Sequence, residues 1–432
     1  MISQDFLKAI ATEYSVSEGE LEVLSLAMQG QSTADIAKRI GISGDAVRKR
    51  LSEVYQKFEI AGRGPVKLTK LQQLLISRYQ EHQSKIATDS TLKRRQAKTN
   101  QVHQRQDWGE APDISVFYGR TEELATLESW IVQESCRLVA LLGIGGIGKT
   151  AISVRFAKQL KGEFENVFWR SLRQAPLVED ILAALIKFVC PEMTLPDTVD
   201  GQISWLIEYF REHRTMVILD GAESILQSGN LAGVYREGYE GYGELIRRLA
   251  EEPHQSCLLL TSREKLSEIS LLEGETLPVR SLQLQGLGEA ARLILKEKGL
   301  SGQKNWGELI RGYRGNPFML KLVATTIKEV FDGNVTDFLK TTLFTNDVND
   351  YIEEMLDRLT DLEEKVIYQI ANKKATVNLE ELQGIFPEIS PQALIRALAS
   401  LRQRSLVEKS EGGFTLPPAV TEVANQLVVS EQ

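Results

Sequence analysis

The sequence predicts several domains, in which one parallel α/β sheet domain is flanked by mainly helical domains. Three observations support this fold class. The 432 residues exceed the size at which a single hydrophobic core stops growing. Residues 113–285 alternate short apolar runs with amphipathic stretches, as parallel strands and crossover helices do. Residues 1–82 and 286–432 instead space their apolar residues with a helical period.

Composition is ordinary for a globular protein, with 42% hydrophobic and 25% charged residues. The three cysteines show no CxxC pairing, the N-terminus has no signal pattern, and no apolar run approaches the length of a membrane helix. We therefore expect reduced thiols, a cytoplasmic location and no membrane contact.

Charge is unevenly distributed along the chain. The segment Ile36–Gln106 has sixteen lysines and arginines against five acidic residues, whereas the whole chain carries a net charge of −8. This basic segment predicts a polyanionic partner, with a solvated linker and ordinary surface lysines as the alternative. Residues 83–112 contain few apolar residues, and we interpret them as a flexible basic linker.

A phosphate-binding loop is the strongest motif. The apolar run Leu138–Leu142 predicts a buried parallel strand, and a glycine-rich loop and a helix beginning near Lys149 follow it. Backbone N–H groups of such a loop surround phosphates, Lys149 pairs with the β- and γ-phosphates, and Thr150 holds magnesium. The sequence therefore predicts a site for ATP or ADP with Mg²⁺. The residues predicted to line it are Gly143, Gly145, Gly146, Ile147, Gly148, Lys149, Thr150 and Ala151.

Acidic residues follow a second predicted strand, Met216–Leu219. Asp220 ends that strand, where a P-loop protein fixes the magnesium shell. Glu223 is a candidate for polarising the attacking water, and a surface glutamate at a helix start is an equal alternative. Gly221 stands where a second acidic residue is often found, which argues against fast hydrolysis.

Arginines follow two further predicted strands. Arg263 comes after the apolar run Cys257–Leu260 and is predicted to sense the γ-phosphate from the end of a central strand. Arg170 and Arg173 follow another strand, and for them a surface ion pair is an equal interpretation.

These motifs resemble the NB-ARC branch of the STAND signalling ATPases. GIGGIGKT, MVILD and LLLTSR stand in that family's order. VFYGRTEELATL looks like its entry segment, which flanks adenine, and RGNPFMLKLVA looks like its GLPL motif, whose proline packs on the nucleotide. The resemblance thus implies nucleotide contacts by Val116, Phe117, Gly119, Arg120 and Pro317.

The same resemblance implies a helical domain over residues 286–345 and a winged-helix domain over residues 346–432, which would close over the nucleotide. Local signals support the second domain, because Ser390-Pro391 predicts a helix start and Gly412-Gly413 a hairpin that would be the wing. The full predicted fold is a helix-turn-helix bundle, a P-loop parallel α/β sheet domain, a helical domain and a winged-helix domain.

Two departures from the family pattern affect the interpretation. The family often has a Met-His-Asp triplet after the wing, whose histidine contacts the β-phosphate of ADP, but here the place reads Leu416-Pro417-Pro418. The usual locked ADP state therefore lacks its contact. Many relatives also continue into repeat sensors, and this sequence shows no such repeat, so we expect its trigger to come from a separate signalling partner or from the N-terminal region.

The N-terminal region has the layout of a helix-turn-helix. Ser32 caps a second helix, residues 41–43 form the turn, and a third helix buries Val47, Leu51, Val54 and Phe58. That spacing leaves Asp45, Arg48, Lys49 and Ser52 on the outer face, where they would reach a major groove, and we expect Arg50 and Lys57 to lie close to phosphates.

Residues 16–66 resemble the LuxR/GerE-type DNA-binding domain, except that Ala46 stands where that family usually has a phosphate-binding threonine. DNA is therefore the predicted partner, and a helix-turn-helix used for protein contact is the alternative.

Together these features predict a nucleotide-dependent switch. ATP would favour an open, self-associating form, slow hydrolysis would reset it, and the N-terminal domain would act on DNA as a transcriptional regulator. The alternative is an ATPase scaffold whose N-terminal bundle recruits a protein in a conflict or cell-death response. A metabolic kinase or fast ATPase is disfavoured, because no acceptor-positioning residues are evident.

Overall fold

The computed structural model describes two compact units, residues 1–102 and 103–432, each considered by itself. Within them it describes residues 10–11, 14, 16–28, 31–58, 60, 67–68, 70–71, 74–75, 104–160, 162–373 and 376–430.

The first unit contains the predicted helix-turn-helix. Helices α1 (Glu18–Met28), α2 (Thr33–Ile40) and α3 (Gly44–Lys57) follow one another closely. The Ser32 hydroxyl accepts a hydrogen bond from the backbone N–H of Asp35 and so caps α2, and Gly41 ends α2 in the left-handed conformation that glycine adopts without strain. The turn and caps predicted from the sequence are confirmed.

The second unit is built on one six-stranded parallel sheet. Its strand order is β1-β3-β4-β5-β2-β6, so β5 separates β2 from β4. The strands are β1 (Arg105–Asp107), β2 (Leu138–Leu142), β3 (Asn166–Ser171), β4 (Thr215–Asp220), β5 (Cys257–Ser262) and β6 (Val279–Gln283). Every residue of β2, β4 and β5 is buried, as expected for central strands covered on both faces.

Helices cover both faces of the sheet and enclose two separate cores. Alternate strand residues point to opposite faces, so Leu138 and Ala140 join one core and Val139 and Leu141 the other. The helices of this region are α4 (Thr121–Glu128), α5 (Lys149–Gln159), α6 (Val178–Val189), α7 (Val199–Glu212), α8 (Gly241–Glu251) and α9 (Ser267–Leu272).

The flexible linker predicted over residues 83–112 was placed too far along the chain. Residues 105–107 form β1, which pairs in parallel with β3 from Arg105↔Asn166 to Asp107↔Phe168. Trp108 and Ala111 pack against the core beneath the sheet. The prediction failed because an edge strand of three residues has no apolar periodicity to reveal it. Residues 83–103 lie outside the described residues.

Helices predominate after the sheet and share one continuous core, which includes residues from Ala291 to Ala424. They are α10 (Ala291–Glu297), α11 (Trp306–Gly312), α12 (Pro317–Val330), α13 (Val335–Thr341), α14 (Asn346–Leu356), α15 (Asp361–Lys373), α16 (Leu379–Ile385), α17 (Pro391–Gln403) and α18 (Pro418–Ser430). The core crosses the predicted boundary at residue 345, so that division of the region stays a prediction.

The last part of this region has winged-helix topology. Helices α15, α16 and α17 are followed by a hairpin of β7 (Glu408–Ser410) and β8 (Gly413–Thr415). A bridge between Val377 and Phe414 ties the hairpin to the start of α16. Ser390 caps α17 with Pro391 in its first turn, as the sequence predicted. No helix among the described residues has both the length and the apolar character needed to span a bilayer.

His254 lies after α8 with both ring nitrogens engaged. Its Nε2 bonds to the Leu249 carbonyl at 2.9 Å, and its Nδ1 accepts the backbone N–H of Ser256 at 3.2 Å. Only a neutral ring with the proton on Nε2 satisfies both contacts. Burial lowers the pKa of His254 to about 4, below its usual value of 6.5.

This geometry predicts that acid destabilises the protein through His254. The unfolded chain takes up a proton near pH 6.5 and the folded chain only near pH 4, so the free energy of unfolding falls as pH drops across that interval. Substitution His254→Gln removes this contribution, and we expect the loss of stability between pH 7 and pH 4.5 to shrink by roughly 1–3 kcal/mol. Urea unfolding at several pH values measures it. Identical pH profiles for the two proteins would contradict the assignment.

Candidate nucleotide-binding site

The predicted phosphate loop connects β2 to α5 and lies at the carboxyl end of the sheet. Gly143, Gly146 and Gly148 have φ values of 147°, 72° and 104°, which residues with a Cβ rarely adopt. These three glycines with positive φ, among the six residues 143–148, allow the chain to form a tight concave loop. Helix α5 begins directly after it at Lys149, so its N-terminal dipole end faces the same concavity.

Lys149 is placed to neutralise phosphates. Its side chain is buried, and Nζ donates to the carbonyl oxygens of Gly143 at 2.6 Å and Ile144 at 3.2 Å. Burial lowers the pKa of Lys149 to about 8, and the nearby Glu223 carboxylate partly opposes that shift. A buried ammonium held only by carbonyl oxygens is poorly compensated, so an anion at the loop would bind it strongly.

Thr150 and Asp220 meet as the sequence predicted, although they are 70 residues apart. Thr150 Oγ1 donates to Asp220 Oδ2 at 2.9 Å, and Thr261 Oγ1 donates to Asp220 Oδ1 at 2.8 Å. Burial raises the pKa of Asp220, and these two hydroxyls oppose the shift. A hydroxyl beside a fixed carboxylate suits Mg²⁺, which binds through few protein oxygens and keeps phosphate and water ligands. Among the described residues no group of three or more His, Cys, Asp or Glu could hold a metal ion.

The two arginines after β3 behave differently. Arg170 pairs with Asp107 of β1, which is the ion pair that the sequence left open. Arg173 instead reaches Thr150 and Asp220, with Nη2 3.7 Å from Asp220 Oδ2 and 3.4 Å from Thr150 Oγ1. Thr150 and Asp220 thus attract a cation in the described structure.

Glu223 and Arg263 form a bonded pair. Arg263 Nε lies 3.2 Å from Glu223 Oε1, and the backbone N–H of Arg263 donates to Glu223 Oε2 at 3.1 Å. Neither side chain is on the open surface, which removes the surface-glutamate alternative for Glu223. Because both carboxylate oxygens face Arg263, Glu223 is not a free base and Arg263 is not a free sensor. Their catalytic roles remain predictions.

Arg120 supports the loop from behind. Its buried guanidinium donates to the Ile147 carbonyl at 2.9 Å and pairs with Glu123 at 2.6 Å. The sequence predicted Arg120 as a nucleotide contact, but its side chain is occupied by the loop itself. The structure therefore makes Arg120 a residue that positions the loop.

The predicted adenine segment lies beside the start of the following helical region. Val116 is exposed, and Phe117 packs against the sheet core with its ring centroid 5.9 Å from the Arg155 guanidinium. Gly119 has a φ of 65°, and a Cβ there would lie 3.0 Å from the Cβ of Ala290. The backbone of this segment is thus close to residue 290, with no room for a larger residue than glycine.

Helix α12 covers the outer side of the loop. Asn316, which is buried, donates from Nδ2 to the Gly145 carbonyl at 2.9 Å, and its Oδ1 caps α12 through the N–H groups of Phe318 and Met319. A Cβ on Gly146 would come within 2.5 Å of the Phe318 side chain. Pro317, which the sequence singled out, is the first helical residue, but Asn316 makes the contact with the loop.

A cluster of four charged side chains joins the sheet to the winged helix; Glu264, Glu363 and Arg404 are buried, and Arg358 is partly exposed. Glu264, directly after β5, accepts from Arg358 Nε at 2.7 Å and from Arg404 Nη1 at 2.8 Å. Arg404 Nε lies 3.5 Å from Oε1 of Glu363, whose Oε2 accepts from both Thr360 N and Oγ1 at 3.0 Å. Burial raises the pKa of Glu264, and the two guanidinium groups oppose the shift.

This charge cluster is incompletely hydrogen-bonded. Glu264 Oε2, Glu363 Oε1 and Arg404 Nε are buried without a hydrogen-bond partner. Backbone contacts surround the cluster, because Gly229 N donates to the Arg358 carbonyl at 3.1 Å and Lys265 N to the Gln403 carbonyl at 3.2 Å. The winged helix is thus attached to the sheet through buried ionic groups and not through an apolar surface alone.

In the helix-turn-helix unit, α3 has the predicted outer face. Asp45, Arg48, Lys49 and Ser52 are exposed, and Arg48 pairs with Asp45 at 2.8 Å. Arg50 and Lys57, which the sequence predicted to lie close to phosphates, have partners within the unit, and their contact with DNA stays a prediction. Lys57 Nζ bonds Glu20 at 2.6 Å, and Arg50 donates to the Gly19 carbonyl at 3.3 Å, so both side chains turn towards α1.

Sequence reasoning missed the residues that reach the loop from the helical region. Asn316 could have been found, since an asparagine directly before a proline marks a helix start. Tyr351, whose hydroxyl lies against Gly145, and the members of the charge cluster gave no signal, because their contacts join residues that are far apart in the chain, 94 and 140 positions for the two bonds to Glu264. Spacing along the chain does not reveal such pairs.

Two family models match the chain. The NACHT domain model matches residues 137–301, and the GerE model, described as bacterial regulatory proteins of the luxR family, matches residues 14–66. The chain therefore carries a P-loop NTPase domain of NACHT type and an N-terminal helix-turn-helix domain of GerE type. The NB-ARC type inferred from the motifs is not confirmed.

The chain is similar to parts of three other proteins. Over 359 residues the chain is 46% identical to an uncharacterised WD repeat-containing protein of Nostoc sp. (strain PCC 7120), a match that covers 79% of this chain and 28% of that protein. The Walker-type ATPase of Pyrococcus abyssi shares the fold, with a TM-score of 0.52 and 16% identity over 71% of this chain and 96% of that chain. A STAND protein with a tetratricopeptide repeat sensor from Pyrococcus horikoshii has a TM-score of 0.39 and 18% identity over 74% of this chain and 44% of that chain.

The support that Arg120 gives the loop is testable. Substitution Arg120→Met leaves the Ile147 carbonyl without its buried donor and Glu123 without its partner, so we expect MgADP to bind roughly tenfold more weakly. Calorimetry measures the dissociation constant. Arg292→Met is the matched control, because Arg292 is exposed and pairs only with Glu289 one turn earlier. Equal affinities for the two variants would show that Arg120 does not position the loop.

Proposed function

We propose that this chain is a nucleotide-dependent switch of the STAND class, which binds ATP or ADP with Mg²⁺ and acts on DNA through its N-terminal domain. ATP favours an open form that self-associates, and slow hydrolysis returns the closed form. The proposal includes the closure of the winged helix over the nucleotide, as the NB-ARC resemblance implies.

One observation carries the proposal: the phosphate loop is covered by side chains of the helical region. Asn316 bonds the Gly145 carbonyl, and the hydroxyl of Tyr351 lies against the same glycine. A ligand that fills the loop therefore acts directly on α12 and α14. Occupancy of the loop and the position of the helical region are thus physically coupled, which a switch requires.

The buried charge cluster supports a closed form that can open. Ion pairs removed from water stabilise little, because the desolvation of each charge offsets the attraction. When the seam opens, the buried side chains of Glu264, Glu363 and Arg404 regain water, so opening costs less free energy than the separation of an apolar surface of the same size. Closed and open forms of similar free energy are the condition under which a ligand shifts the population.

The pairing of Glu223 with Arg263 supports slow hydrolysis. A general base needs a carboxylate oxygen within reach of the attacking water, and both oxygens of Glu223 face Arg263. Hydrolysis would then require Glu223 and Arg263 to separate first. The reaction resets a switch and does not sustain a high turnover.

The outer face of α3 supports DNA as the target of the output. Arg48, Lys49 and Ser52 are exposed on a helix of GerE type. Self-association would bring several such helices together and raise DNA affinity by effective concentration, without new contacts.

Removal of one cation from the charge cluster is expected to open the seam. In Arg404→Met the carboxylates of Glu264 and Glu363 lose a shared partner, and such a loss typically costs about 3–5 kcal/mol. We expect the variant to self-associate without added ATP, as light scattering on a size-exclusion column would show. Arg402→Met is the matched control, because Arg402 is exposed on the same helix two residues earlier.

Two further proteins complete that experiment. Adding Lys149→Ala to Arg404→Met should leave self-association intact, because the variant opens without nucleotide, whereas Lys149→Ala alone should abolish ATP-dependent assembly. A folded Arg404→Met protein that stays monomeric without ATP, when the wild type assembles with ATP, would contradict the role of the cluster. Wild-type protein that neither binds nucleotide nor assembles would contradict the proposed function as a switch.

DNA binding is expected to depend on the outer face of α3. The double substitution Arg48→Ala/Lys49→Ala should weaken binding at least tenfold and lower the slope of log affinity against log salt by about 2, since each positive charge removed from the DNA-facing helix releases about one counterion fewer. Fluorescence anisotropy from 50 to 200 mM salt measures this. Lys321→Ala/Lys328→Ala is the control, because it makes the same charge change on an exposed face of α12.

The same titration decides between the two targets. Absence of DNA affinity at low salt, with nucleotide binding intact, favours the scaffold that recruits a protein effector. Equal losses in the two double variants would show that binding follows net charge and not α3.

A further inference from the structure

Two side chains converge on the P-loop at the glycine that follows the lysine-bound carbonyls. A Cβ built on Gly145 would lie 2.3 Å from the Tyr351 hydroxyl and 3.3 Å from the Arg263 Cζ. Lys149 Nζ, which pairs with the β- and γ-phosphates in such loops, donates to the carbonyls of Gly143 and Ile144. Tyr351 and Arg263 therefore stand at the end of the loop where the terminal phosphate is bound.

Helix α14 also holds Arg263. Glu354, one turn after Tyr351, lies 3.8 Å from Arg263 Nη1, and the Tyr351 ring centroid is 5.9 Å from the guanidinium carbon. On the opposite side Glu223 binds Arg263 Nε at 3.2 Å. The guanidinium is thus shared between a glutamate of the sheet domain and one face of α14. A terminal phosphate that recruits Arg263 has to compete with both.

Tyr351 is fixed in this position by packing. Its ring lies 4.7 Å from that of Phe318, the second residue of α12, and it packs against the core of the helical region. The hydroxyl is set directly over Gly145, with no room for another group between them. A group placed over this glycine next to the Arg263 guanidinium would therefore collide with the Tyr351 hydroxyl.

We propose that Tyr351 is the residue that makes this site discriminate between nucleoside diphosphates and triphosphates, with Glu354 as its positioning partner. The proposal rests on the proposed switch and names the side chain that distinguishes a nucleoside diphosphate from a triphosphate. A diphosphate fits beneath Tyr351. A triphosphate displaces the hydroxyl from Gly145 and draws Arg263 away from Glu354.

The position of Tyr351 also explains how the type of bound nucleotide would affect the winged helix. Arg358, two turns after Tyr351, donates to the Glu223 carbonyl at 3.0 Å and pairs with Glu264 at 2.7 Å. Tyr351, Glu354 and Arg358 follow a spacing of three and four residues, which places them on one side of the helix and its end. A shift of α14 away from Gly145 therefore pulls on the charge cluster directly.

The test compares the affinities for MgADP and for Mg²⁺ with a non-hydrolysable ATP analogue, measured by calorimetry on the full chain. Tyr351→Leu keeps the apolar packing against Phe318 and removes the group over Gly145. We expect the ratio of the dissociation constants, analogue over ADP, to fall roughly tenfold, since the variant no longer has to shift to an uncovered form before a triphosphate binds. ADP affinity should stay within about twofold, because a diphosphate does not contact Tyr351.

Three further variants make the result specific. Tyr351→Phe removes only the hydroxyl and should give a smaller shift of the same ratio in the same direction. Glu354→Gln weakens the hold on Arg263 and should also lower the ratio. Tyr239→Leu is the control, because the Tyr239 hydroxyl bonds the Ala175 carbonyl and does not touch the P-loop. Thermal unfolding establishes whether each protein is folded. If Tyr351→Leu does not fold, Tyr351→Phe still tests the proposal.

The outcomes separate this proposal from the switch. Variants that bind both nucleotides with an unchanged ratio, or that lose both affinities in parallel, would show that Tyr351 only packs, and the switch would stand. Wild-type protein that binds neither nucleotide would remove the proposed function and this inference together.

Discussion

The buried carboxylate of Glu264 is the constraint on which the arrangement of the second unit depends. A carboxylate removed from water persists only with cationic partners, and the sheet that positions Glu264 supplies none. Arg358 and Arg404 come from either side of the winged helix and meet at one oxygen. The winged helix must therefore lie against the carboxyl end of β5, which is also the end that carries Arg263. A single electrostatic requirement thus fixes the distance between the winged helix and the nucleotide site.

That placement has consequences for the phosphate loop. With the winged helix held at β5, α14 passes over Gly145 and α12 begins beside Gly146. Both glycines lack a Cβ at points where one would collide with Tyr351 or Phe318. The glycines of the loop therefore serve two purposes, since they allow the backbone to turn around phosphates and allow the helical region to approach it. An alanine at either place would disturb closure as well as binding.

The sequence predicted the parts of the site that are local. The loop, its strand and its helix are contiguous, and Asp220 and Arg263 were found because each ends an apolar run that predicts a strand. The helix-turn-helix was predicted for the same reason, since its caps and buried positions lie within about forty residues. The edge strand β1 was missed because three residues carry no period. The bonds that Lys57 and Arg50 make to α1 were not foreseen, because a pattern of charges does not reveal which of them finds a partner on another helix.

The stretch after the wing lacks the histidine that the NB-ARC resemblance would place there, and its structure bears on how a nucleotide could be recognised. Leu416 is buried and Pro418 begins α18, so this stretch carries no imidazole that could contact a nucleotide. In the proposed switch, the winged helix therefore does not read the nucleotide through its own wing. The nucleotide is instead read by Arg263 and Tyr351, which lie beside the loop, and Arg358 connects their helix to the charge cluster. A closed form held by buried ion pairs, and released through one arginine that a phosphate competes for, needs no direct bond between the wing and the ligand.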